Sequence, residues 1–151
     1  MTLALASSPA SGSGPGACAL LTNAEVTQAF GEKIADRSSG QHGSSCTWTG
    51  IPLGNFTSAH PQLNLTLAGP ISKTRFLSAF KTQIVAGSMP GRMERRPALP
   101  VTGVGQLAFA MLSGQELATW SHGTVITIST AYVSTPLATA KKLARAAIAR
   151  L

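Results

Sequence analysis

Two periodicities divide the chain. Behind a dense start signal, Val26, Ala29 and Phe30 recur at helical spacing. Thr22 can act as N-cap with Glu25 three residues on, Leu21 and Val26 can close a hydrophobic staple, and Gly31 fits a left-handed stop. These signals predict a helix over Asn23–Phe30. The polar stretch EKIADRSSGQHGSS then reads as a loop with room for a short strand near Ile34.

Next the period changes to two. In CTWTG the side chains of Cys46 and Trp48 share a face, and in PQLNLTLAG Leu63, Leu65 and Leu67 lie opposite Asn64 and Thr66. That alternation is the mark of half-buried strands. IPLGNFTSAHP between them is a Pro/Gly-punctuated connection. Ser72 can cap a second helix running to about residue 85, with Phe76, Leu77, Phe80 and Ile84 at helical spacing, Lys73 and Lys81 on the wet side, and Gly87 as its stop. SMPGRMERRPALPVTGVG reads as a long irregular stretch. Three more strand patterns follow, QLAFAML, QELATWS and TVITIST, and the turn pairs Ser113-Gly114 and His122-Gly123 join them into a meander. Thr135 and Pro136 open a last helix with an apolar stripe of Leu137, Ala140, Ala144, Ala147, Ile148 and Leu151.

The order α-β-β-α-β-β-β-α predicts an α+β domain: three helices and a mainly antiparallel sheet covered on one face. At 151 residues the chain has the length of one domain, assigned to 17–151. Residues 1–16, MTLALASSPASGSGPG, are set apart as a flexible tail or the remnant of a secretory leader. Ala4-Leu5-Ala6 has the shape of a signal cleavage site, although the basic start and long apolar run of a leader are missing.

Composition narrows the chemistry. Charged residues make up only 11% of the chain, and its net charge of +7 comes as much from missing acids as from abundant bases. The carboxylates are Glu25, Glu32, Asp36, Glu94 and Glu116, too few for paired-carboxylate hydrolysis, two-metal sites or calcium loops. No apolar run approaches the roughly 18 residues of a membrane span, so none is expected.

Cys18 and Cys46 are the sharpest feature. Two cysteines so far apart, without C-x-x-C or paired histidines, do not supply a zinc or iron–sulfur site. A nucleophilic cysteine would need His42, His60 or His122 as its base, and no local signature supports that. A lipid on Cys18 would compete with pairing, but a polar stretch rather than an apolar core precedes it. A Cys18–Cys46 disulfide is the simplest account; it would stabilise the fold by about 3–4 kcal/mol and implies an oxidising compartment.

The basic residues fall into two groups: Arg92, Arg95 and Arg96 in the proline-rich stretch, and Lys141, Lys142, Arg145 and Arg150 on the last helix. They suit an anionic partner, whether nucleic acid, phospholipid surface or acidic cell-wall polymer. A solvated face is the preferred account, because no nucleic-acid signature and few aromatics accompany the charge. Trp48 and Trp120 read first as packing residues. Gly103-Val104-Gly105 lacks the setting of a dinucleotide fingerprint and reads as a turn before a strand. Asn55-Phe56-Thr57 and Asn64-Leu65-Thr66 match the glycosylation triplet, a pattern frequent by chance.

CALLTNAEVTQAFG, then SSCTWTG with LNLTL, then PVTGVGQLAFA, TVITIST and LATAKKLARAAIARL resemble a family of small bacterial extracytoplasmic, lipoprotein-type domains of unknown function with a PsbP-like α+β fold. The resemblance spans residues 17–151, and its best motif is Cys-x-Leu-Leu-Thr-x-x-Glu-Val followed by Cys-x-Trp. It implies export, a Cys18–Cys46 bridge and no known catalytic residues. The chain departs from the pattern at Ser121-His122-Gly123, where His stands in place of a charged Lys or Asp.

The expectation is a non-enzymatic, exported binding or accessory domain at the cell envelope, with no cofactor, metal or catalytic residue assigned. Its partner, an envelope protein or a small ligand, is left open, and a concave sheet face near Trp48 and Trp120 is the expected pocket. Two rivals stay open. One is a basic module binding an anionic polymer; the other is a hydrolase-type enzyme whose His and Ser or Cys assemble from distant positions.

Overall fold

In the computed structural model, which describes residues 15–54 and 59–151, helix α1 (Asn23–Phe30) is fixed at both ends by local chemistry. Thr22 Oγ1 accepts from the Glu25 amide at 3.2 Å and Glu25 Oε2 accepts from the Thr22 amide at 2.8 Å, which satisfies donors that the first turn leaves unpaired. Gly31 ends the helix at φ 72°, and Leu21 and Val26 are both buried, as a staple requires.

Then come β1 (Ile34–Ser39), β2 (Ser45–Gly50), β3 (Gln62–Ala68) and helix α2 (Lys73–Phe80). They are followed by β4 (Thr82–Ala86), β5 (Met93–Pro97), β6 (Leu99–Pro100), β7 (Leu107–Met111), β8 (Glu116–Ser121), β9 (Thr124–Ala131) and helix α3 (Pro136–Ile148). The described residues thus form an α+β fold with three helices and antiparallel strands. One seven-stranded sheet runs in the order β1-β2-β3-β9-β8-β7-β6, and β4 and β5 form a separate two-stranded ribbon. Two meanders, β1 to β3 and β7 to β9, meet along β3 and β9, with Leu65 opposite Ile128. His122 and Gly123 turn β8 into β9 with φ of 48° and 87°, the sense of twist a two-residue hairpin needs.

Alternation decides which side chains meet which helix. Cys46, Trp48, Leu63, Leu65, Leu117, Ile126 and Ile128 face α1 and α3, where Val26, Ala140, Leu143, Ala144 and Ala147 close the main core. The opposite face carries a second, smaller cluster in which Phe76 of α2 packs with Met111, Ala118, Val125 and the rings of Phe80 and Phe109. The sheet is therefore covered on both faces over β7 to β9, not on one as the element order suggested. Over β2 and β3 the second face stays polar, with Asn64 donating to Thr47 Oγ1 at 2.7 Å.

Four expectations need correction. β1 is a full six-residue strand rather than a short one, and it escaped notice because it is an edge strand whose residues after Ile34 are all exposed. Helix α2 stops at Phe80, and Ile84, expected on its apolar face, stands 57% exposed on β4. The Lys81 carbonyl accepts from the Ala98 amide, and the β-branched run Thr82, Ile84, Val85 continues as a strand. The Ser113-Gly114 turn is longer, with Leu112 and Ser113 at φ 50° and 57°. Thr135 precedes α3 in the left-handed region and caps nothing with its side chain; Pro136 opens the helix, and Leu143 joins the buried stripe. The tail at 1–14 and the triplet Asn55-Phe56-Thr57 lie outside the described residues.

Candidate functional site

Cys18 and Cys46 are bonded, with their Cα atoms 5.0 Å apart. The bridge ties the short 3₁₀ turn Ala17–Ala19 to β2, so neither sulfur serves as ligand, nucleophile or lipid carrier. Among the described residues no three His, Cys, Asp or Glu side chains gather as a metal site.

Trp48 and Trp120 do not line one pocket. Trp48 is fully buried in the main core, its Nε1 donating to Asn23 Oδ1 at 3.3 Å. Trp120 packs in the α2 cluster and donates to the Ile71 carbonyl at 2.7 Å. Each belongs to a different sheet face, a consequence of register between strands that are not neighbours. Both indoles are structural anchors with their N–H groups satisfied.

The two basic groups part company as well. On α3, Arg145 Nε donates to the Gly103 carbonyl at 2.7 Å and Lys142 Nζ to Gln28 Oε1 at 3.1 Å, while Lys141 is half-buried. Arg150 forks onto Glu25 at 2.7 and 2.9 Å and reaches the Leu20 carbonyl at 2.8 Å. These contacts, with the Thr22 amide next, hold the Glu25 carboxyl down at about 2, against an ordinary 4.5. Gly103 and Gly105, at φ 76° and 56°, shape the loop that receives Arg145, so the Gly-Val-Gly turn is a helix mooring.

Arg92, Arg95 and Arg96 point outward instead. They sit on the β4–β5 ribbon, where no residue from 81 to 97 is buried. Arg95 donates to Thr82 Oγ1 at 3.3 Å, and Arg96 pairs with Glu94 at 3.1 Å in an exposed ion pair. Beside them stand Ile84, Met89 and Met93, 57, 61 and 64% exposed. The ribbon closes through Met89-Pro90-Gly91-Arg92, with Gly91 at φ 75° and the Arg92 amide donating to the Met89 carbonyl. That is a type II turn, and the Pro90-Gly91 pair is the sequence signal that could have revealed it.

Shallow clefts mark the surface of the described residues. One of about 330 Å³ is lined by His42, Ser44, Leu67 and Thr124; one of about 400 Å³ lies at the ribbon's base among Gln83, Leu99, Ala110 and Leu137. The third, about 370 Å³, holds Ser121 and His122, with Ser121 Oγ 3.2 Å from His122 Nδ1. A proton can pass between them in the tautomer that leaves Nδ1 free. Ser121 is only 6% exposed, however, and among the described residues no carboxylate is hydrogen-bonded to His122 to orient it.

Compared with protein-family models, curated proteins and solved structures, the chain matches none of them. Fold and site define a disulfide-bonded α+β domain carrying an exposed ribbon that is both basic and apolar.

Proposed function

We propose that the chain is an exported, non-enzymatic binding or accessory domain of the bacterial cell envelope, with the β4–β5 ribbon as its contact surface. The observation that carries the reading is the Cys18–Cys46 bridge, since such bonds persist in oxidising compartments. Among the described residues no helix is long and apolar enough to cross a membrane. The resemblance to PsbP-like extracytoplasmic domains belongs to this proposal; the stapled helix after Cys18 and the antiparallel sheet support it.

The test is a thiol count on chain drawn from its native cells and unfolded without reductant in the presence of an alkylating agent, so that the agent reaches the otherwise buried Cys46. No alkylated cysteine is expected, whereas two alkylated cysteines in freshly trapped material would overturn export. The rival of a basic module for an anionic polymer draws on the same outward arginines, and heparin or DNA retention that survives about 0.15 M salt would favour it.

A further inference from the structure

The β4–β5 ribbon has a composition that the fold does not explain. Register places Thr82, Ile84, Ala86, Met93, Arg95 and Pro97 on one face, because Ile84 lies opposite Arg95 and Ala86 opposite Met93. That face sets the cationic Arg95 among the exposed Ile84 and Met93, and the exposed Met89 and Arg92 sit at the tip between the two strands. Arg96 lies on the other face and pairs there with Glu94, the one carboxylate between residues 81 and 97, so the Arg95 face carries none. The ribbon shares no strand pairing with the main sheet; Gln83 Oε1, accepting from the Leu112 amide, and the Lys81 carbonyl hold its base.

We infer that this ribbon is a docking arm for anionic phospholipid surfaces, which deepens the envelope reading and rests on the ribbon being its contact surface. Charge complementarity selects an anion. Area argues against a folded protein: five residues per strand give a face of about 16 by about 10 Å, on the order of 160 Å², against about 800 Å² per partner in a stable complex. Nucleic acid would gain little from it, because the ribbon has no aromatic residue on which a base can stack. A bilayer requires no shape match. It offers phosphates to the arginines and an apolar layer just below to Met89, Met93 and Ile84.

The experiment is co-sedimentation of the full, oxidised chain with vesicles of phosphatidylcholine alone or mixed with phosphatidylglycerol, beside a heparin column, at about 0.15 M salt. Binding is expected only with phosphatidylglycerol present. Replacing Arg92 and Arg95 together by Gln should weaken it on the order of thirtyfold. M89S/M93S removes no hydrogen bond and should weaken it about tenfold. Equal binding of wild type and M89S/M93S to vesicles, with heparin held as strongly, would overturn the lipid inference and leave the arm as a polyanion contact. Absence of arm-dependent binding to vesicles and heparin alike would overturn the inference and, with it, the ribbon as contact surface, while leaving the bridge and its compartment untouched.

Discussion

The basic residues of α3 and those of the β4–β5 ribbon are chemically alike and structurally opposite. Three of those at α3 are spent on the fold: Arg150, just past its end, binds Glu25 and a carbonyl of the α1 entry, Arg145 moors the helix to the Gly103 loop, and Lys142 reaches Gln28. On the ribbon Arg95 and Arg96 meet partners within the ribbon itself, Thr82 and Glu94, and bind no other element, next to the exposed Met89 and Met93. A positive charge is therefore informative about a partner only after its internal acceptors have been counted. By that count the α3 corner is a structural clasp, and the ribbon is the surface we propose for contact.

The comparison breaks most visibly through the clasp's covalent member. Replacing Cys18 and Cys46 together by Ser should cost about 2–4 kcal/mol, read from the urea midpoint; a loss below about 0.5 kcal/mol would show that the α1 entry holds without its bridge. Gly105→Ala comes next. Its Cβ would stand 2.9 Å from the Trp120 carbonyl at a φ of 56°, and a loss of about 1–3 kcal/mol is expected in the same denaturation. If it melts like wild type, the mooring loop has slack.

Acid tests the Arg150–Glu25 clasp more finely. Because the folded Glu25 carboxyl titrates near 2 instead of 4.5, its contribution is fully present above pH 4.5 and fades as pH falls toward 2. The Tm gap between wild type and E25Q should therefore shrink over that window and close near pH 2. A gap that does not change with pH would place the effect in the helix cap alone. The smallest expected change belongs to the ribbon: M89S/M93S should shift stability by less than about 0.5 kcal/mol, since both side chains are mostly in water. A large loss there would make the ribbon part of the core and remove the contrast.

Much of the fold was legible because its signals are local. The box of Thr22 with Glu25, the left-handed Gly31, the alternation of Cys46 with Trp48 and the His122-Gly123 turn each act within a few residues, and each appears as read. The ribbon was missed because Phe76, Leu77, Phe80 and Ile84 keep helical spacing past the point where the helix ends, and only the Pro90-Gly91 turn marks the return strand. Of the site, Arg92, Arg95 and Arg96 were named in advance, but the apolar partners that give them meaning were not. The tryptophan pocket failed for a different reason: period-two alternation fixes side within one strand and says nothing about a strand three places away in the sheet, as β8 is from β2.

By itself, then, the sequence determined the capped helix α1, the alternating strands β2, β3 and β9, the His122-Gly123 turn and the cysteines available for bonding, because capping, alternation and turn chemistry are set by neighbours along the chain. Only tertiary structure decided which sheet face each tryptophan serves, which helix covers it, and which cations are consumed internally. Those outcomes depend on pairings between distant residues, such as β3 with β9 or Arg150 with Glu25, whose partners meet only once the chain has closed on itself.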